Sequence, residues 1–294
     1  MTDATPNKEL FDRARRRLAR DRGVVRAQGK DFLHGLMVEE VLESLSLVNR
    51  KFEQALVIGL PGAILASHLE NQGIETTIAD ASPRHANAHG GVQCDEDRLP
   101  FADKSFDLVI NIGTLDTVND LPGALALTLR ALKPDGLFLA VFVGAESLPI
   151  LKTCLMKAEV DRVSAHIHPQ IDIRTVGDLM ARVGFKMPVA DSDKLYLRYA
   201  DMDKLVADVR DMGSTNILTN RTTMLSRNTY MKAKEYFRSN ADAEGKSTEK
   251  VELVFLSGWA PHPDQPKPAR RGSGQVSLKT ALGKQQDSDE NSKE

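Results

Sequence analysis

Glycines and a carboxylate that could hold a nucleoside lie together in residues 52–80. Gly59 and Gly62 follow a short apolar run at 55–58, and Asp80 ends a run of β-branched residues. In a doubly wound sheet, a glycine-bearing turn after the first strand lets the backbone approach a ligand, and a carboxylate after the second strand accepts hydrogen bonds from ribose hydroxyls. The spacing indicates a nucleoside site, although an ordinary strand–helix–strand crossover with a Gly/Pro turn explains the same stretch.

A second acidic segment, Asp95–Asp97, follows a short predicted strand at 92–94. An acidic side chain in this place can accept a hydrogen bond from the exocyclic amine of adenine while the adjacent backbone contacts the ring. The alternative interpretation is a solvated acidic loop.

Two histidine pairs have spacings that could bind a metal. His85 and His89 stand four residues apart, and His166 and His168 flank Ile167 in a segment that we expect to be extended. Each pair supplies two ligands, and no third is evident near by in the sequence. We therefore predict no metal site, with solvated surface histidines in the first pair and a structural or substrate-contact role for the second.

Seven predicted strands alternate with helices in the order of an α/β protein. The early strands are short apolar runs, as expected for strands buried on both faces of a parallel sheet. The seven lie at 55–58, 76–80, 92–94, 105–110, 137–143, 194–199 and 251–256. This order predicts a doubly wound, mostly parallel, Rossmann-like sheet.

The chain divides into four predicted regions. Residues 1–8 are expected to be disordered, 9–50 to form two helices, 51–260 to form the main domain, and 261–294 to be a Pro-rich and disordered tail. The first helix is rich in arginine at positions Arg13, Arg15, Arg16, Arg17, Arg20 and Arg22. It could be a partner-binding arm, a lid over a ligand site or a solvated helix that covers the core, and we favour the last.

Composition excludes several classes of protein. The formal net charge of −2 gives no electrostatic reason to expect nucleic acid or an anionic membrane as partner. No run approaches the ~18 consecutive apolar residues of a transmembrane helix, and the first ten residues lack an apolar signal core. Two cysteines are too few for a disulfide framework. We expect a soluble protein of the cytoplasm.

The order and spacing of these motifs resemble those of class I S-adenosylmethionine-dependent methyltransferases. The matching parts are the turn at 59–62, Asp80, the Asp95 loop, the strand DKSFDLVINI and the turn and strand LKPDGLFLAV. Beyond residue 145, segments such as AHIHPQIDIRTVGDLMARVGF and VELVFLSGWAPH resemble a methyltransferase-like family that assists assembly of respiratory complex I. The mitochondrial member of that family is described as a protein arginine hydroxylase, and a bacterial relative would need no transit peptide.

This resemblance implies a cofactor, a reaction and a partner. S-adenosylmethionine would be the cofactor, with Asp80 at its ribose, Asp95 at its adenine and the turn at 59–62 near its methionine part. The residues implied to contact it are Gly59, Leu60, Gly62, Asp80, Ala81, Asp95, Glu96 and Asn111. The expected function is methyl transfer to an acceptor that the sequence does not identify, with arginine hydroxylation or non-enzymatic assistance of complex I assembly as alternatives. A complex I subunit would be the partner.

The chain departs from the methyltransferase pattern in two places. The first motif places an acidic residue and then alternate glycines where this chain has Val57, Gly59, Pro61 and Ala63. Proline has no backbone N–H, and one lost hydrogen-bond donor costs about 1–3 kcal/mol, so we expect weakened cofactor binding. The second departure is Asp116–Thr117, where the family has a His-Trp pair.

Overall fold

The computed structural model describes residues 9–28, 31–159, 165–220 and 225–265. The chain divides into two units, 1–261 and 262–294, and of the second only a turn at 262–265 is described. The predicted disordered ends, 1–8 and the tail beyond 265, lie outside the described residues. All that follows concerns the first unit.

A seven-stranded sheet forms the centre of this unit, in the order β3-β2-β1-β4-β5-β7-β6. The strands are β1 Gln54–Ile58, β2 Glu75–Asp80, β3 Val92–Gln93, β4 Phe106–Ile112, β5 Leu132–Val143, β6 Lys186–Tyr199 and β7 Ser247–Trp259. β1 to β5 pair in parallel, and β7 pairs antiparallel with both β5 and β6. The predicted doubly wound, mostly parallel sheet of seven strands is confirmed.

Helices cover both faces of the sheet. Those in the described residues are α1 Arg13–Ala27, α2 Phe32–Ser46, α3 Gly62–Asn71, α4 Pro83–Ala88, α5 Leu121–Ala131, α6 Pro149–Ala158, α7 Ile173–Val183, α8 Met202–Asp211 and α9 Arg227–Arg238. Aspartate or serine side chains cap the start of most of them. Asp12, for example, accepts from the Arg15 N–H, and Asp31 accepts from the Leu33 N–H. No helix in these ranges is long and apolar enough to cross a membrane.

Side chains that alternate along the strands divide the core between the two faces. On one face, Leu56 and Phe138 pack with α5 and α7. On the other, Val57 and Ile110 pack with α2 and α3. This alternation follows from the two-residue period of a strand. β4 is buried along its whole length, as expected of a central parallel strand.

A third apolar cluster lies beyond the sheet and joins α6, α8 and α9. It contains Leu151, Leu205 and Phe237, together with Tyr199 at the end of β6. We refer to these three helices as the helical cap. α9 was not among the predicted elements, and β6 and β7 are longer than the predicted strands at 194–199 and 251–256.

Candidate functional site

The eight residues predicted to contact a cofactor lie at one edge of the sheet, where the parallel strands end. They are Gly59, Leu60, Gly62, Asp80, Ala81, Asp95, Glu96 and Asn111. The strand register explains their convergence, because Ile58 lies opposite both Ala79 and Asn111. In α/β sheets this edge is where ligands bind. Whether these residues hold a cofactor stays a prediction.

The turn after β1 packs closely against the end of β4. Gly59 has φ +102°, and a Cβ atom placed on it would lie 2.0 Å from the carbonyl oxygen of Ile112. Only glycine fits there, because an L side chain is strained at this φ and has no space. The Gly62 N–H donates to the Gly59 carbonyl at 2.9 Å. Pro61 precedes α3 without a side-chain cap, so the turn has fewer free donors than a glycine-rich turn would have.

Asp80 is fully buried, and both of its carboxylate oxygens are engaged by Arg20 of α1. Arg20 Nε donates to Oδ1 at 2.9 Å and Nη2 donates to Oδ2 at 2.6 Å, while the Ser82 N–H donates to Oδ1 at 2.6 Å. Burial alone would raise the pKa of Asp80, but the Arg20 charge and these hydrogen bonds hold the pKa below its usual value. Arg20 Nη1 also donates to the Gly113 carbonyl at 3.1 Å. Asp80 is therefore an ionised carboxylate whose partner comes from the same chain.

Glu96 is the second buried carboxylate of the site, and Arg16 binds it in the same bidentate manner. The two nitrogen–oxygen distances are 2.7 and 2.9 Å. The same guanidinium donates to the Thr114 carbonyl at 3.1 Å and to the Thr117 hydroxyl at 3.1 Å. Burial would lower the pKa of Arg16, but the charge and hydrogen bonds of Glu96 together with the charges of Asp80 and Asp95 raise the pKa above its usual value.

Two further arginines of α1 bind the remaining acidic residues. Arg13 makes a bidentate contact with Asp97 at 2.6 and 2.7 Å, and Arg17 Nη2 donates to Asp95 Oδ2 at 2.5 Å. The structure thus contradicts the interpretations of α1 as a solvated helix and of the Asp95 loop as a solvated acidic loop. Arg16 and Arg20 are 4% and 3% exposed.

The segment before α1 is also fixed to this edge of the sheet. The Phe11 N–H donates to Asn119 Oδ1 at 2.8 Å, and Asn119 Nδ2 donates back to the Phe11 carbonyl at 3.0 Å. The Phe11 ring meets the His168 ring edge-on, with centroids 5.6 Å apart. α1 therefore starts beside the loop that follows β4.

Carboxylates that could accept hydrogen bonds from a nucleoside lie at this edge. Asp80 ends β2, and Asp95 Oδ1 is buried without a hydrogen-bond partner, with Arg16 Nη1 3.8 Å away. His34 Nε2 is likewise buried and unpartnered, and it lies beside Gly113, whose Cβ position would be 2.8 Å from it. These unsatisfied polar atoms fit a polar ligand at this edge. In the structure, however, guanidinium groups of α1 occupy the carboxylates of Asp80 and Glu96.

A cavity of ≈ 590 Å³ lies between the helical cap and the same end of the sheet. Most of its wall is apolar, with residues such as Leu151 and Leu205. Asp116 and His168 line it near the end of β4, with Asp116 Oδ2 3.9 Å from His168 Nε2. Asp116 stands where the resemblance to methyltransferases implied a His-Trp pair, and in the structure it forms a carboxylate–imidazole contact with His168 at the cavity wall.

Asp208 and Tyr199 line this cavity, together with the cationic residues Arg210 and Arg227. Burial raises the pKa of Asp208, and the charges of Asp211 and Asp31 raise it further, while the neighbouring Tyr199 hydroxyl acts in the opposite direction. Burial and the nearby Asp208 carboxyl raise the pKa of Tyr199. A cationic group beside Asp208 would favour its ionised form.

The histidine pairs have different surroundings from those predicted. His85 is buried rather than solvated, with Nδ1 3.7 Å from Asp80 Oδ2, and burial lowers its pKa to about 4. His89 is exposed. His166 Nε2 lies 2.6 Å from Glu159 Oε2, whereas His168 faces Asp116, so the second pair does not share a partner. Within the described ranges no three His, Cys, Asp or Glu side chains are grouped to hold a metal.

Comparison with known proteins agrees with this geometry. A family model described as a methyltransferase domain matches residues 56–140. The arginine-hydroxylase NDUFAF5 of Danio rerio is 32% identical over 283 residues, which cover 92% of this chain and 88% of the relative. The chain belongs to the NDUFAF5 arginine-hydroxylase family. The human NDUFAF5 is 31% identical over 260 residues, which cover 84% of this chain and 75% of the human protein.

Family members share the class I methyltransferase fold with proteins of much lower identity. A protein from Bacillus halodurans crystallised as a candidate methyltransferase superposes with a TM-score of 0.51 at 12% identity, covering 76% of this chain and 99% of that one. The YcgJ protein of Bacillus subtilis gives a TM-score of 0.50 at 16% identity, covering 78% of this chain and 98% of that one. These similarities establish the fold alone.

Proposed function

We propose that this NDUFAF5-family protein is an S-adenosylmethionine-dependent methyltransferase of the complex I assembly type, acting on a basic side chain of a client protein. The mostly apolar cavity, with the Asp208 carboxyl in its wall, carries the proposal. A complex I subunit is the proposed client, and the cytoplasm is the proposed compartment. The free thiols of Cys94 and Cys154 are consistent with a reducing compartment.

The cavity wall suits an arginine side chain better than a purely polar or purely apolar group. Apolar residues such as Leu205 and Met202 would cover the methylene groups, and the carboxyl of Asp208 would meet the guanidinium. A cation placed there would favour the ionised form of Asp208, whose pKa burial raises. The relatives are named as arginine hydroxylases, which supports an arginine as the side chain concerned.

The cofactor would supply an electrophilic methyl group on a sulfonium. The residues of this chain would hold the ribose at Asp80, contact the adenine at Asp95 and position the acceptor at the end of β4. His168 Nε2, beside Asp116, lines the cavity and is placed to accept the proton that the acceptor nitrogen loses. The apolar wall of the cavity excludes water from the acceptor.

Binding of a guanidinium is the first test of this proposal. Titration with N-acetyl-arginine amide should give saturable binding, and the citrulline analogue, which has the same shape and no charge, should bind at least about tenfold more weakly. Asp208→Asn should remove the difference between the two. Asp103→Asn is the matched control, because Asp103 is exposed, pairs with Arg130 and does not line the cavity. Equal binding of the two amides would contradict the proposed acceptor.

The modification found on the client protein then identifies the chemical reaction. Mass spectrometry of complex I subunits from cells with and without the gene should find an arginine that is heavier by one methyl group. A gain of one oxygen atom would instead assign the hydroxylation named for the relatives.

A non-enzymatic assembly role is favoured by one observation, the occupation of Asp80 by Arg20. Calorimetric titration with S-adenosylmethionine distinguishes this role from the enzymatic one. Micromolar binding that Asp80→Ala abolishes would support an enzyme. Absence of binding at millimolar cofactor would support an assembly factor that has kept the fold without the cofactor.

A further inference from the structure

We propose that helix α1 is a lid that competes with the nucleoside cofactor for the same carboxylates, so that cofactor binding and docking of α1 exclude each other. The inference rests on the proposed use of a nucleoside cofactor. It does not depend on which acceptor is modified.

The competition is direct at Asp80. A ribose diol needs both carboxylate oxygens, and Arg20 Nε and Nη2 already donate to both of them. Asp80 has no exposed surface on which a second ligand could share it. A ribose can therefore reach this carboxylate only after the Arg20 guanidinium has left.

Arginines of α1 also pair with the other carboxylates, so the helix docks and undocks as one unit. Arg13, Arg16, Arg17 and Arg20 stand at positions i, i+3, i+4 and i+7 and therefore lie on one face of the helix. Their acidic partners follow β2 and β3, which are adjacent in the sheet. Movement of Arg20 away from Asp80 by a tilt of the helix would also move the other three guanidinium groups.

Charge rather than apolar packing holds α1 in place. Its buried residues are Arg16, Ala19, Arg20 and Gly23, of which only Ala19 has an apolar side chain. Leu18 and Val25, in contrast, are about half exposed. A helix with so little apolar surface in contact can leave without opening the hydrophobic core. An acidic edge that attracts arginines would then be free for ligand.

Gly23 explains how the helix comes so close when docked. A Cβ atom there would lie 2.8 Å from the Asp211 carbonyl oxygen and 2.9 Å from the Gly213 nitrogen. The second half of α1 therefore rests directly on the backbone that follows α8. This contact holds the second half of α1 against that backbone while the helix is docked, and undocking also has to break the Phe11–Asn119 hydrogen bonds at the other end.

The apparent cofactor affinity should therefore be limited by the fraction of molecules with α1 undocked. Calorimetry on the full chain with S-adenosylhomocysteine as probe tests this directly. Arg20→Gln should bind at least about tenfold more tightly than the wild type, because the open fraction increases. Arg22→Gln, which removes an exposed arginine of the same helix, should bind as the wild type does.

Hydrogen exchange gives a readout that does not depend on a variant. Saturating S-adenosylhomocysteine should speed amide exchange in α1 and leave α2 unchanged, because only α1 has to leave. If Arg20→Gln fails to give a cooperative melting curve, Arg16→Gln takes its place with the same expected gain.

Three results would overturn the lid. They are unchanged or weaker binding by the folded arginine variants, absence of binding by every variant, and increased protection of α1 on binding. The acceptor proposal is tested independently, since the N-acetyl-arginine amide titration probes Asp208. Failure of the lid proposal would not refute the acceptor proposal, and failure of the acceptor proposal would not refute the lid.

Discussion

The buried pair of Arg20 and Asp80 offers a quantitative test of how this edge of the sheet is stabilised. Asp80 is 0% exposed and Arg20 is 3% exposed. Removing one partner of a buried pair leaves an uncompensated charge, which typically costs 3–5 kcal/mol. Asp80→Asn and Arg20→Gln should therefore each lower the free energy of unfolding by about 3–5 kcal/mol. In a protein of this size the loss corresponds to a fall in Tm of about 6–20 °C.

The double variant Asp80→Asn/Arg20→Gln separates the pair from other effects of the two side chains. With both charges gone, no buried charge is left alone, so the double variant should be more stable than the sum of the single losses predicts. We expect a coupling energy of about 1–3 kcal/mol from urea denaturation of the wild type, both single variants and the double variant. Losses that add within about 0.5 kcal/mol would refute the reasoning. They would show that water or other groups replace each partner without cost.

Two further variants test the buried histidine and the first turn. The folded-state pKa of His85 is about 4, so the unfolded chain binds the extra proton first. Above pH 6.5 the neutral His85 should therefore add about 3 kcal/mol to the free energy of unfolding, and this contribution is lost as the pH falls toward 4. His85→Gln should flatten the stability curve in that window, whereas His68→Gln, at an exposed position, should leave it as in the wild type. Gly59→Ala should cost about 2–6 kcal/mol, because it combines a positive φ with a backbone clash. Gly73→Ala has φ +81° and open space around the new Cβ, so a loss as large as that of Gly59→Ala would argue against the clash.

The fold was predictable because its central strands are short apolar runs separated by turns. β4 is buried throughout, and its sequence is correspondingly apolar. The outer strand β6 was predicted to begin at 194 but begins at Lys186, because an exposed edge strand lacks that apolar signature. α9 escaped notice for a related reason, since only Ala233 and Phe237 of its twelve residues are buried.

The acidic residues of the site could also be predicted, but their partners could not. Helical spacing alone places Arg13, Arg16 and Arg20 on one face, and the doubly wound order alone places Asp80 at the ligand edge. Neither pattern predicts that the arginine face of α1 contacts Asp80. Arg20 and Asp80 are 60 residues apart in the chain, and a solvated helix is the ordinary expectation for so many arginines.

The sequence by itself determined the elements, their order and the chemical type of the groups at the carboxyl edge, because these depend on local periodicity and turn residues. Only the tertiary structure decided what those groups face. Docking of α1 filled the acidic edge with guanidinium groups, and the helical cap brought Asp208 and Tyr199 to a cavity beside Asp116. Both arrangements depend on contacts between distant segments, whose free energies come from packing and charge pairing in three dimensions and leave no local pattern in the chain.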